Sequence, residues 1–204
     1  MIAILSYGLG NIKAFANIYK ELNVPYVIAE DRQALAKADR IILPGVGAFD
    51  HAMQRLKASG LAETLEEAVI GHRKPVLGVC VGMQMLARSS EEGNELGLGW
   101  VDGEVKKISF PLDAPRGVLP HMGWSTISAK ADEPLLAGLD DELGFYFLHS
   151  YRFGCDNAAE VIARADYAAP FDCAVRRGNI YGVQFHPEKS HHNGVRLLKN
   201  FAEI

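Results

Sequence analysis

Cysteine is scarce in this 204-residue chain, and its three thiols, Cys80, Cys155 and Cys173, stand far apart. That spacing supports neither a disulfide framework nor a metal-binding pattern, so a reducing compartment, the cytoplasm, is expected. No apolar run is long enough to span a bilayer. Met1-Ile2-Ala3-Ile4-Leu5 has neither the basic flank nor the cleavage site of a signal peptide, and it reads as a first strand. Charge of one sign is also missing: 25 acidic side chains against 21 Lys and Arg leave a formal net charge of -4. A nucleic-acid or anionic-membrane partner would call for a basic surface, and the composition does not provide one. Internal repeats, low-complexity segments and linkers are absent as well.

What remains, 204 residues of which 49% are hydrophobic, is enough for one globular domain over residues 1–204. Strand-like runs at Ile2 to Ser6, Pro25 to Ala29, Arg40 to Leu43 and Val76 to Val79 alternate with helical stretches. The helices fall at Ile12 to Leu22, Arg32 to Lys37, Asp50 to Lys57 and Leu61 to Gly71. Asn11 is placed to cap the first of them. Alternation of this kind calls for a parallel sheet with helices on both faces. Gly8-Leu9-Gly10 invites a dinucleotide-binding reading, but the third glycine of that fingerprint is missing between Ile12 and Phe15.

The pattern changes after Trp100. Val101 to Phe110, Gly123 to Ser128, Phe145 to Leu148, Ala159 to Ala165, Cys173 to Arg177 and Ile180 to Phe185 read as strands joined by turns. A closing helix starts near Gly194. The expected architecture is α/β: a central mixed, mostly parallel sheet, helices on both faces, and an antiparallel extension.

The most informative stretch is Gly78-Val79-Cys80-Val81-Gly82. It has the form of a nucleophile elbow, a sharp strand-to-helix turn in which a β-carbon at either glycine would strike the neighbouring backbone. The turn lifts the sulfur to its tip and aims the N-terminus of a helix, read as Gly82 to Arg88, toward it. A positive helix end favours the thiolate, the form that attacks. An isolated Cys is usually a small buried residue; the flanking glycines at a strand–helix junction argue for a nucleophile here.

A thiol nucleophile needs a base, and the base needs a group to hold it. Among seven histidines, His186 ends an apolar strand and is followed by Pro187 and Glu188. Residues two apart in extended chain share a face, and Pro187 keeps the pair from folding into a helix. Glu188 can accept from one imidazole nitrogen and leave the other for the thiol proton. The competing reading is an exposed His-Glu pair at a strand end. Oxyanion donors are expected from the N–H of Val81 and from Pro44-Gly45-Val46-Gly47, with Val46 at its centre. That second segment is also compatible with an ordinary strand-to-helix turn.

Together these residues resemble the class I, triad-type glutamine amidotransferases. Pro44-Gly45-Val46-Gly47, Leu119-Pro120-His121-Met122-Gly123-Trp124, Phe145-Tyr146-Phe147-Leu148-His149-Ser150-Tyr151 and Gly182 to Ser190 are similar to segments of the glutaminase subunits of imidazole glycerol phosphate synthases. The resemblance runs in order from Tyr7 almost to Ile204. It implies that Cys80 attacks the carboxamide of L-glutamine, that His186 moves the protons and that Glu188 orients His186. It further implies that Gly45, Gly47, Gln84, Glu92, Ser150 and Tyr151 hold glutamine or its oxyanion. Asn11, Pro120, His121, Met122, Trp124 and Lys189 would face a (β/α)₈-barrel cyclase that receives the ammonia. No cofactor and no metal are implied.

Two positions depart from the pattern: Val81 follows the nucleophile where most members carry Leu, and Ser125 follows Trp124 where Asn is usual. Tyr7 to Asn11, Ala14 to Tyr19 and Cys80-Val81-Gly82 also resemble a paralogous branch that supplies ammonia for amidation of surface-polysaccharide sugars. A cysteine hydrolase of peptidase or deglycase type and a catalytically dead scaffold are more distant alternatives. His191-His192 reads as a solvated helix start, Cys155 and Cys173 as buried fillers, and Trp100 as packing. Trp124 is a candidate interface residue.

Overall fold

The computed structural model describes residues 1–110 and 117–204. Four short strands open the molecule's parallel half: β1 (Ile2–Leu5), β2 (Tyr26–Ala29), β3 (Arg40–Gly45) and β4 (Val76–Cys80). They line up in the order β2-β1-β3-β4, all parallel. Strands β1 and β4, and β3 after its opening Arg40, are buried and apolar, as a sheet covered on both faces requires. The connecting helices are α1 (Ile12–Glu21), α2 (Arg32–Ala36), α3 (Phe49–Ala58) and α4 (Ala62–Glu66), the last continuing into a π-helical turn over Glu67–Gly71. Phe15, Ala16 and Tyr19 recur at helical spacing and form the buried stripe of α1. Asn11 does occupy the cap position of α1, but its side chain makes no capping hydrogen bond; its carbonyl accepts from Ala14 and Phe15 instead.

After β4 the chain forms only a single helical turn, α5 (Val81–Gln84), rather than a helix to Arg88. Beyond it the backbone is drawn toward the sheet edge. Arg88 N–H donates to Gly103, and β5 (Ser89–Ser90) pairs with β6 (Gly103–Lys107). The N–H groups of Met85, Leu86 and Ala87 still bond back to Val81, Met83 and Gln84, but their carbonyls accept from Leu98 to Val101, which ends the helix.

The antiparallel half comprises β6, β7 (His121–Ser125), β8 (Ser128–Ala129), β9 (Phe145–His149), β10 (Tyr151–Cys155), β11 (Val161–Tyr167), β12 (Ala169–Arg177) and β13 (Ile180–Val183). Strand β13 lies parallel to β4 and antiparallel to β12, and so joins the halves. Strand β10 was not expected from the sequence; it pairs along its whole length with β6. The closing helix α6 (His191–Glu203) starts three residues earlier than Gly194 and buries Leu197, Leu198 and Phe201.

Strands β7 and β9 stand apart as a two-stranded antiparallel ribbon. Alternation divides its two faces cleanly. His121, Phe145, Phe147 and His149 point into the core, while Met122, Trp124 and Leu148 point out.

Candidate active site

Register brings the pocket together. Gly45 at the end of β3 lies beside Cys80 at the end of β4, and β13, on the other side of β4, runs on to His186. At the turn itself, Cys80 has φ 55° and ψ -112°, a conformation that costs a side-chain-bearing residue energy and recurs at active sites. Interlocked glycines hold it there. A β-carbon on Gly78 would meet the Gly82 carbonyl, one on Gly82 would overlap the Leu43 carbonyl oxygen, and one on Gly45 would overlap the Gly82 nitrogen. Three backbones therefore cross where only hydrogen fits.

The Cys80 sulfur lies 3.9 Å from the Leu148 carbonyl oxygen and 3.8 Å from Gln184 Nε2, which donates to it. His186 is buried, and its Nδ1 lies 3.0 Å from Glu188 Oε1. The backbone N–H of His186 donates to Tyr146, and its carbonyl accepts from Ser190 Oγ, so the ring is held at both ends of its own residue. Burial works against the charged imidazolium. Hydrogen bonds and charge from Cys80 and Glu188 outweigh it and raise the His186 pKa above the ordinary histidine range. A base paired this way can receive the thiol proton and keep it as a stabilised cation.

A second histidine, His149, lines the same pocket and is not available for that task. Its Nδ1 is 2.8 Å from the Tyr151 carbonyl oxygen and its Nε2 3.0 Å from His121 Nδ1, so both ring nitrogens are occupied.

The pocket has a volume of about 330 Å³, and its lining includes Gly47, Gln84, Glu92, Ser150 and Tyr151. Gly45 is not part of that lining; it serves the site as the close-packed neighbour of the elbow. Val46 and Val81 line the pocket, and Val81, first in its helix, has an N–H with no helical acceptor ahead of it. Glu92 Oε2 accepts from the Phe49 N–H at 2.8 Å, at the start of α3. The next turn is pinned by Asp50, which accepts from Asn94 and Glu95, each at 2.9 Å, and is thereby held below the usual carboxylate range.

Of the residues expected to face a partner, Asn11, Pro120, Met122, Trp124 and Lys189 are exposed. His121 is the correction. It is only 2% exposed, stacked on Tyr167 at 4.0 Å and bonded to His149 and Ser125, because alternation along β7 turns it inward between its outward neighbours. Cys155 is half-buried rather than buried, whereas Cys173 is fully enclosed. Tyr7, not singled out from the sequence, is buried and donates to the Pro44 carbonyl. Only the distance between β1 and β3 in sequence hid that contact.

Residues 6–204 match the family model of the class-I glutamine amidotransferases. The chain belongs to that family. Among its class-I glutamine amidotransferase relatives, the imidazole glycerol phosphate synthase subunits HisH of Leptospira interrogans and Bdellovibrio bacteriovorus are 52% and 54% identical over 204 residues, covering all of both chains. A protein named imidazole glycerol phosphate synthase subunit HisH 2 from Pseudomonas aeruginosa is 44% identical, again over the full length of both. Two solved structures share the fold. A glutamine amidotransferase aligns with a TM-score of 0.76 at 18% identity, covering 100% of this chain and 99% of its own. Another glutamine amidotransferase, from Thermotoga maritima, aligns with a TM-score of 0.63 at 17% identity, covering 99% of this chain and 82% of its own.

Proposed function

We propose that the chain is the glutaminase subunit of an imidazole glycerol phosphate synthase, acting in histidine biosynthesis as one domain over residues 1–204. The observation that carries the chemistry is the meeting, in one pocket, of a cysteine on a strained elbow with a histidine whose far nitrogen is engaged by a buried glutamate. The pathway rests on full-length identity above 50% to subunits of that name.

In this reading the Cys80 sulfur attacks the carboxamide carbon of glutamine, and the developing oxyanion is met by the N–H groups of Val46 and Val81. His186, carrying the thiol proton, delivers it to the departing nitrogen as the C–N bond breaks, leaving ammonia and a glutamyl thioester. Water then attacks the thioester, His186 accepts its proton, and glutamate leaves as the thiol is restored. Glu188 holds His186 and balances its charge. Glu92 and Lys189, the one acidic and the other basic, line the pocket and suit the ammonium and carboxylate of an amino acid.

The outward face of the β7–β9 ribbon is the docking surface for the cyclase. Met122 is 65% and Trp124 52% exposed, beside the pocket mouth at Pro120, Leu148 and Lys189. Aromatic and methionine side chains left in solvent next to a reaction pocket suit a partner interface. Ammonia passed directly into a barrel seated there escapes protonation in bulk water. Among the described residues no helix is long and apolar enough to cross a membrane, and the cytoplasm is the proposed location.

The test separates the two nitrogen sources. Cys80→Ala, reconstituted with the cyclase, should lose synthesis from glutamine while synthesis from ammonium persists. Loss of both in a complex that still assembles would refute the division of roles.

A further inference from the structure

His121 and His149 have no part in the proton transfers above, yet they sit in a line of hydrogen bonds whose directions are all determined. The Tyr151 carbonyl can only accept, so His149 must carry its proton on Nδ1, 2.8 Å away. Burial pushes both histidines down to about 4, His149 also through the charges of His121 and His186, so both rings are neutral at physiological pH. A neutral His149 has a bare Nε2, and it accepts a hydrogen bond from His121 Nδ1–H at 3.0 Å. His121 Nε2 is then bare in turn and accepts from the Ser125 hydroxyl at 3.0 Å.

The line continues past Tyr151. The same carbonyl accepts from Gln84 Nε2 at 3.1 Å, and Gln84 Nε2 also donates to Gln184 Oε1 at 3.0 Å. Gln184 Nε2 faces the Cys80 sulfur at 3.8 Å. His121 cannot turn to relieve a mismatch, because its ring is stacked between Tyr167 and Phe147 at 4.0 and 4.9 Å. One end of the line is therefore on β7, at His121 and Ser125, which flank the outward-facing Met122 and Trp124 in sequence, and the other is at the nucleophile.

We propose that His121 and His149 are positioning residues, joined in a hydrogen-bond relay that runs donor to acceptor from Ser125 to the Tyr151 carbonyl, where it meets Gln84, and through which β7 sets the alignment of the glutamine pocket. The proposal rests on the glutaminase reading. It identifies a mechanical consequence of the ribbon's alternation: a shift of β7 against a partner moves His121 and Ser125, and through them the Tyr151 carbonyl and Gln84. Stacking alone would hold the pocket without regard to donor and acceptor direction, whereas a relay depends on it.

Two measurements test this. Nitrogen-15 NMR of the histidine-labelled wild-type chain should show His121 and His149 both in the Nδ1–H tautomer, which a free neutral histidine side chain disfavours. In the reconstituted complex, His121→Phe keeps the stacking but removes the donor, and it should raise KM for glutamine by about tenfold with a smaller change in kcat. His121→Asn, which returns a donor toward His149, should recover most of that loss. Finding either ring in the Nε2–H form, or equal KM values for wild type, His121→Phe and His121→Asn, would overturn the relay. A wild-type complex that assembles but never hydrolyses glutamine would instead overturn the glutaminase reading, leaving the tautomers as they were.

Discussion

The Tyr7 hydroxyl donates to the Pro44 carbonyl oxygen at 2.6 Å, from a buried position two residues beyond β1. Burial first, and the neighbouring Cys80 second, push the phenol well above its usual range, so it remains a donor at any working pH. The bond ties down the residue immediately before Gly45, fixing the upstream end of the turn that carries Val46.

Tyr7→Phe removes that donor and leaves a buried carbonyl unpaired. The expected cost is about 1–3 kcal/mol of stability, read as a lower midpoint in urea denaturation. An unchanged midpoint would mean that the Pro44 carbonyl finds another partner and that Tyr7 does not hold the turn.

His186 and Glu188 should not respond equally to substitution. Proton transfer by a positioned side chain contributes typically about 10²- to 10⁴-fold in rate, whereas Glu188 acts by orienting and charge-balancing a ring also fixed through Tyr146 and Ser190. His186→Ala is therefore expected to slow glutamate release far more than Glu188→Gln. The reverse order would exchange their roles.

The buried histidines also predict how stability follows pH. His121 and His149 titrate near 4 when folded, against about 6.5 when unfolded. Between those values the unfolded chain holds more protons, so stability should fall as pH drops through that window. His186 behaves oppositely: its folded pKa is raised, so its contribution is complete below about 6.5 and is lost as pH climbs toward the folded value. Urea midpoints measured across pH should therefore peak near neutrality. His121→Phe should flatten the acid side and His186→Ala the alkaline side; variants that leave both slopes untouched would contradict these assignments.

Much of this molecule was legible in its residues because the signals were local. Gly78 and Gly82 around Cys80 announced a turn that only glycine permits, and the structure shows which carbonyl each would strike. His186-Pro187-Glu188 carried its geometry within three residues. Long-range choices were not legible. Tyr151–Cys155 reads as an unremarkable mixed segment, and becomes a strand because β6 offers it an edge. Met85 to Arg88 has helical residues, but its carbonyls accept from Gly97 to Val101, partners far along the chain, and the helix ends. His121 sits in a segment whose neighbours face outward, and only its pairing with His149 across the ribbon reveals that it is core.

Hydrolysing glutamine with no acceptor present wastes nitrogen, and the Pro44-Gly45-Val46-Gly47 turn is where a bound partner would release the restraint on turnover. Gly47 has φ +85° with no atom of the described residues within 4 Å of where a β-carbon would stand, so a substitution there meets no protein neighbour and is strained through backbone preference. A peptide that can turn an N–H or a C=O toward the oxyanion can switch turnover, since one missing donor typically costs about 10²- to 10³-fold.

The most direct measurement is steady-state glutamate release by the chain alone, with cyclase, and with cyclase plus acceptor. Low activity alone and a rise of about tenfold or more, roughly 1.4 kcal/mol of barrier, is the predicted result, with Gly47→Val narrowing the ratio. A free chain already hydrolysing glutamine at its full rate, unmoved by partner or acceptor, would contradict the account.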